Sequence, residues 1–80
     1  MGQSRRQKPK RLARKLLAIR KGLGVSQPEM ATLLKLKKSY TSVSSFERGK
    51  REPDLLILLR YAKLAGVSTD VLIDDELDLP

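Results

Sequence analysis

Leu12, Leu16, Ile19 and Leu23 recur at steps of three and four, which places them on one face of a helix that ends near Gly22 and Gly24. Ser26-Gln27-Pro28-Glu29 then reads as a capping box, with Ser26 as N-cap and Glu29 three residues on. Pro28 is tolerated there because a first-turn amide needs no helical partner. Met30, Ala31, Leu33 and Leu34 supply the buried face of this second helix. A basic turn, Lys35 to Lys38, separates it from a third helix, for which Ser39 is the candidate N-cap and Gly49 the end. Pro53 or Asp54 opens a fourth helix that runs to Gly66, and Ser68 caps a last short one through Val71, Leu72 and Ile73. No segment sustains a two-residue alternation, so no sheet is predicted. Short helices joined by short loops predict an all-α, compact five-helix bundle. Residues 1–9 read as a flexible basic arm, 10–74 as the folded domain, and 75–80 as an acidic C-terminal tail.

The fourth helix is apolar around much of its circumference. Leu55, Leu58, Leu59, Ala62 and Ala65 form one core stripe, and Ile57, Tyr61 and Leu64 an adjoining one. A domain this small has difficulty burying both. Either the second stripe packs under Val71, Leu72 and Ile73, or it is an interface, and an uncovered apolar patch points to the latter.

The third helix has an unusual outer face. At about 100° per residue, Val43, Phe46 and Glu47 share one side while Thr41, Ser45 and Arg48 lie opposite, with Ser42 and Ser44 on the flanks and Tyr40 leading. Short hydroxyl residues are weak helix formers, and a surface helix chosen for stability alone would carry Glu, Lys and Ala. Small polar side chains let a helix approach another surface closely, and the major groove of DNA admits a helix with base edges within reach. The plainer alternative is a solvated helix with ordinary serines.

Charge sharpens the choice. Residues 1–53 hold fifteen Lys and Arg against Glu29, Glu47 and Glu52, a balance of +12, whereas residues 54–80 stand at −4. A basic front and an acidic rear suit a polyanion that meets one side only. The chain has no cysteine and no histidine, which leaves no disulfide framework and few routes to a metal site or a neutral-pH general base. No catalytic residue, metal ligand or cofactor site is assigned. The longest apolar run, Leu55 to Leu59, is far too short to span a bilayer, and no secretory or myristoylation signal is recognised. A cytoplasmic protein, nucleoid-associated when bound to DNA, is expected.

An ordered set of residues now carries a resemblance: Ile19-Arg20 before Gly24-Val25-Ser26-Gln27, then Glu29-Met30-Ala31, Val43-Ser44, Phe46-Glu47-Arg48-Gly49-Lys50, Arg51 and Pro53, and finally Ala62, Val67-Ser68 and Val71-Leu72. Over roughly residues 12 to 73 the chain resembles the lambda-repressor-like, Cro-type helix-turn-helix regulators, the XRE family. The resemblance implies a second helix across the DNA backbone and a third helix, about residues 40–48, in the major groove. It makes Tyr40, Thr41, Ser42 and Ser45 the base contacts and Gln27, Lys37, Lys38, Ser44, Arg48 and Lys50 the phosphate contacts. It also implies a structural ion pair between Arg20 and Glu47. The chain departs from the family in its lengthened turn, Lys35-Leu36-Lys37-Lys38, where a small residue, commonly Gly, is usual.

The expected function is a sequence-specific regulator of double-stranded DNA, bacterial or phage in type and most simply a repressor, binding as a homodimer to a two-fold operator. Helix four and the C-terminal region are a possible protein-partner surface. An antitoxin that represses its own operon is a variant of this reading. A basic RNA-binding or ribosome-associated module is the main alternative, weakened by the single exposed aromatic, Tyr40. The basic arm is expected to add affinity and little specificity.

Overall fold

The computed structural model describes residues 9–36 and 40–80. Five helices follow one another: α1 (Leu12–Leu23), α2 (Gln27–Leu33), α3 (Thr41–Glu47), α4 (Leu55–Ala65) and α5 (Thr69–Ile73), with no strand among the described residues. The fold is all-α, as the periodicity predicts. Helix α3 packs on α2 and α1, while α4 and α5 cover the rest of α1. Leu16, Met30, Leu34, Val43, Tyr61 and Leu72 are wholly enclosed at the centre.

The helix boundaries follow local chemistry. Ser26 and Glu29 form the complete capping box, each accepting the other's main-chain N–H, at 3.2 and 2.8 Å. Asp54 caps α4 by accepting from the Ile57 amide. Gly24 and Gly66 end α1 and α4 in the left-handed conformation that glycine reaches without penalty. Ser68 stands at the N-cap of α5 but its hydroxyl makes no capping bond. Ser39, the expected cap of α3, lies outside the described residues; Tyr40 occupies the N-cap position and makes no side-chain cap.

The distribution of apolar residues departs from expectation in α1, α2 and α4; in α2, Leu33, expected on the buried face, is exposed. In α1, Leu23 is exposed and Lys15 is buried, at 4% exposure. Lys15 lies between Leu12 and Ile19 on the inward face, and its ammonium donates to the carbonyls of Val71, Asp74 and Leu77 at 2.8, 3.0 and 2.8 Å. Those carbonyls lie at the end of α5 and beyond it, where a cation is favoured.

In α4, Ile57, Leu58, Tyr61 and Ala62 are buried, whereas Leu55 and Leu59, placed in the core stripe by spacing, are 83% and 40% exposed. Both stripes thus contribute to the core, Leu58 and Ala62 from one and Ile57 and Tyr61 from the other, so the second stripe is not the open surface. The edge with Leu55, Leu56 and Leu59 is left open.

The acidic tail bonds to the entry of α1. The Asp75 carboxylate accepts the main-chain N–H of Lys10 at 2.9 Å and of Arg11 at 3.0 Å. The Arg11 guanidinium donates to the Asp75 carbonyl at 2.6 Å and pairs with Asp78. Leu79 packs against the core. Residues beyond 74 are thus bonded to the entry of α1, which has no cap of its own: Arg11 stands at its N-cap without a side-chain cap, and its first turn holds no acid. A carboxylate from the far end of the chain takes the two main-chain N–H groups at the entry of the helix, those of Lys10 and Arg11.

Candidate nucleic-acid interface

One side of α3 is fixed to the core and the other is presented. Val43 and Phe46 are buried, and the Phe46 ring meets Tyr61 edge to face at 6.5 Å. Thr41 and Arg48 are exposed, Ser42, Ser44 and Ser45 are half-buried, and Tyr40 is half exposed at the leading end. The face that helical spacing assigns to Thr41, Ser45 and Arg48 is thus the one turned away from α1 and α2.

What holds α3 in place is a network around Glu47. Arg20 Nε donates to Glu47 Oε2 at 2.6 Å and Arg20 Nη2 to Oε1 at 3.1 Å, a bidentate pair whose side chains are 16% and 4% exposed. Arg20 Nη1 also donates to the Val25 carbonyl at 3.0 Å. Gln27 Nε2 donates to Glu47 Oε1 at 3.0 Å. Two segments, α1 and the start of α2, therefore converge on one carboxylate of α3, and Arg20 also holds the α1–α2 turn. The bond to Glu47 outweighs the desolvation of Arg20 and raises its pKa above the ordinary value. The Tyr61 hydroxyl, fully buried and without a partner among the described residues, is pushed up by burial and then by the Glu47 charge.

The network changes how Gln27 is read. A first-turn Gln at a helix start is expected to face an anion, yet its amide is turned inward onto Glu47. A residue expected to read bases is likewise engaged: Ser42 accepts a bond from Arg51 Nη1 at 3.3 Å. The Arg51 guanidinium lies over the Phe46 ring, 5.7 Å from its centroid, in the range of a cation–π contact. The sequence assigns Arg51 no role, although it belongs to the ERGKREP run.

Arg60, also unassigned, donates to the Leu34 carbonyl at 2.9 Å and so ties α4 to the end of α2. Nothing in the local pattern around Arg60 signals this. Lys15 shares a helical face with Leu12, Leu16 and Ile19, but that spacing gives no sign of the carbonyls it bonds.

The turn between α2 and α3 carries backbone strain. Lys35 adopts φ of 60°, and among the described residues it is the one non-glycine at positive φ. The glycine common at this point of related turns would adopt that geometry freely. Lys37 and Lys38, expected at phosphates, lie outside the described residues, as do residues 1–8 of the basic arm. Arg48 and Lys50 are exposed where α3 gives way to the loop before α4. Among the described residues no cluster of His, Cys, Asp or Glu could hold a metal, and no helix is long and apolar enough to cross a membrane.

Comparison with known proteins gives a family match: the model for helix-turn-helix proteins covers residues 16–72, from the middle of α1 to α5. No curated protein and no solved structure gives a significant match.

Proposed function

Since the chain belongs to the helix-turn-helix family, of the lambda-repressor-like XRE type, and is by that membership a DNA-binding transcription regulator, we propose that it binds a specific double-stranded sequence as a repressor. The observation that carries this reading is the division of α3. Its inner side is locked by Arg20, Gln27 and Phe46, and its outer side offers small hydroxyls and Arg48. A rigidly held helix with short polar side chains can sit deep in the major groove.

In this reading Thr41 and Ser45 meet base edges, Tyr40 reaches bases from the leading end, and Ser42 contributes only if Arg51 releases it. Ser44, Arg48 and Lys50 meet phosphates, together with Lys37 and Lys38 of the turn. Gln27 would approach a phosphate with its main-chain amide, its side chain being held by Glu47. Bound across a promoter, such a domain represses by occupancy, with no chemistry of its own.

We further propose a two-fold dimer. The apolar edge of α4 formed by Leu55, Leu56 and Leu59 lies just past the loop that carries Lys50 and Arg51. A symmetric contact there would set two α3 helices about one duplex turn, 34–36 Å, apart.

Selection of bound fragments from a random duplex pool tests the proposal. A symmetric motif is expected, and replacing Thr41 and Ser45 together by Ala should cost about 1–3 kcal/mol for each base-edge bond removed on that motif, with less effect on other DNA. Equal weakening on every sequence would remove these residues from base reading.

A further inference from the structure

The chain leaves α3 and then doubles back along it. Gly49 turns it at φ of 72°, and the main-chain N–H groups of Lys50 and Arg51 both donate to the Ser45 carbonyl, at 2.9 and 3.4 Å. From there the Arg51 side chain runs toward the start of the helix. Its guanidinium lies 5.7 Å from the centroid of the Phe46 ring, and Nη1 donates to Ser42 Oγ at 3.3 Å. Ser42 and Phe46 are neighbours at i and i+4 on the surface of α3, so one flat cation reaches both.

The consequence falls on Ser42. A free serine hydroxyl is an adaptable reader of bases, because it rotates to donate or to accept. Here its oxygen already accepts a bond, and a broad cation occupies the flank of the helix beside it. Thr41 and Ser45 stand on the outer face, round the helix from that flank.

Contact with DNA does not by itself undo the arrangement. Arginine carries several N–H donors in a rigid fork, and Ser42 engages one from Arg51. Others can meet a phosphate while Nη1 stays on the serine. Withdrawal would sacrifice the ring contact together with the bond.

We propose that Arg51 is a specificity-determining residue that acts by subtraction: it withholds Ser42 from the bases, so that α3 reads its site through Tyr40, Thr41 and Ser45. The inference rests on the DNA-binding reading above. A phosphate contact alone would act alike on every sequence, whereas this role changes which bases are chosen.

Sequences selected from a random duplex pool are compared for the full chain, Arg51→Leu, Ser42→Ala and the double variant. Leucine still covers Phe46 but offers no donor. Ser42→Ala alone is expected to leave the selected motif unchanged. Arg51→Leu should add a base preference of about three- to ten-fold at one position of the motif, the range of one neutral hydrogen bond. The double variant should lose that addition and return to the unmodified motif. Circular dichroism checks the fold, and Arg51→Met, equally without a donor for Ser42, replaces Arg51→Leu if the latter unfolds.

Loss of a base preference on Ser42→Ala alone overturns the proposal, because Ser42 would then read bases with Arg51 in place. So does a motif that Arg51→Leu leaves unchanged, or an added preference that survives Ser42→Ala. Weaker binding to every sequence with no added preference would make Arg51 a phosphate contact only, and overturns it too. If the unmodified chain selects no motif at all, the functional reading itself falls.

Discussion

Arg20 of α1 and Glu47 of α3 form a two-bonded ion pair, at 2.6 and 3.1 Å, in which Glu47 is almost completely shielded from solvent. The same carboxylate takes a third bond from Gln27. A charge so enclosed is tolerable only while its partners stay in place.

Glu47→Ala should therefore destabilise the fold by about 3 kcal/mol, the low end for breaking a buried pair, because Arg20 keeps some water. Urea melts of Glu47→Ala, Arg20→Ala and the double variant form the check. A coupling of about 1–3 kcal/mol is expected between the two sites. Small, additive effects would mean the pair contributes little.

Lys35→Gly should stabilise the protein. Lys35 is held at φ of 60°, a conformation that costs a residue with a Cβ about 1–2 kcal/mol. The extra chain entropy of glycine takes back about half, leaving a gain of about 0.5–1 kcal/mol. Thermal melts read it directly, and a lower melting temperature would show that the Lys35 side chain makes an interaction worth more than the strain.

The exposed edge of α4 gives a test of the dimer. Leu55→Glu and Leu59→Glu should leave the monomer folded, since Leu55 is 83% exposed, but abolish self-association and the preference for paired half-sites. Sedimentation with and without a two-half-site duplex measures both. A chain that is monomeric from the start, and binds single half-sites as tightly as paired ones, would defeat the dimer.

The Asp75 latch should be acid-sensitive. The amides of Lys10 and then Arg11 hold the Asp75 carboxyl below its ordinary range, so its stabilisation is complete above that range and is lost as pH falls through the lowered value. Urea midpoints for the unmodified chain and Asp75→Asn should differ at neutral pH and converge once the pH has fallen below the lowered value. A gap independent of pH would remove ionised Asp75 as the source. Glu29, lowered by the Ser26 main-chain N–H and then its hydroxyl, titrates in both proteins and cancels.

Local chemistry determined much of this protein without help from its tertiary structure. Steps of three and four placed α1 and α2. The Ser26–Glu29 box, Asp54, Gly24 and Gly66 bounded helices through bonds made within a few residues, so they were readable from neighbours alone. The division of α3 into Val43, Phe46 and Glu47 against Thr41 and Ser45 was readable for the same reason, since one helix sets its own faces. Packing decided the rest. Which sector of α4 is buried depended on where α1 and α5 dock, and a helix apolar on most sides cannot announce that choice. Whether Lys15 was a surface charge depended on carbonyls that lie 56 to 62 residues away. The Lys10 and Arg11 amides at the entry of α1 found Asp75, and Gln27 turned inward because Glu47 of another helix stood within reach. Bonds between residues distant in sequence leave no periodic trace, so only the folded chain could show that the acidic tail bonds to the entry of the first helix.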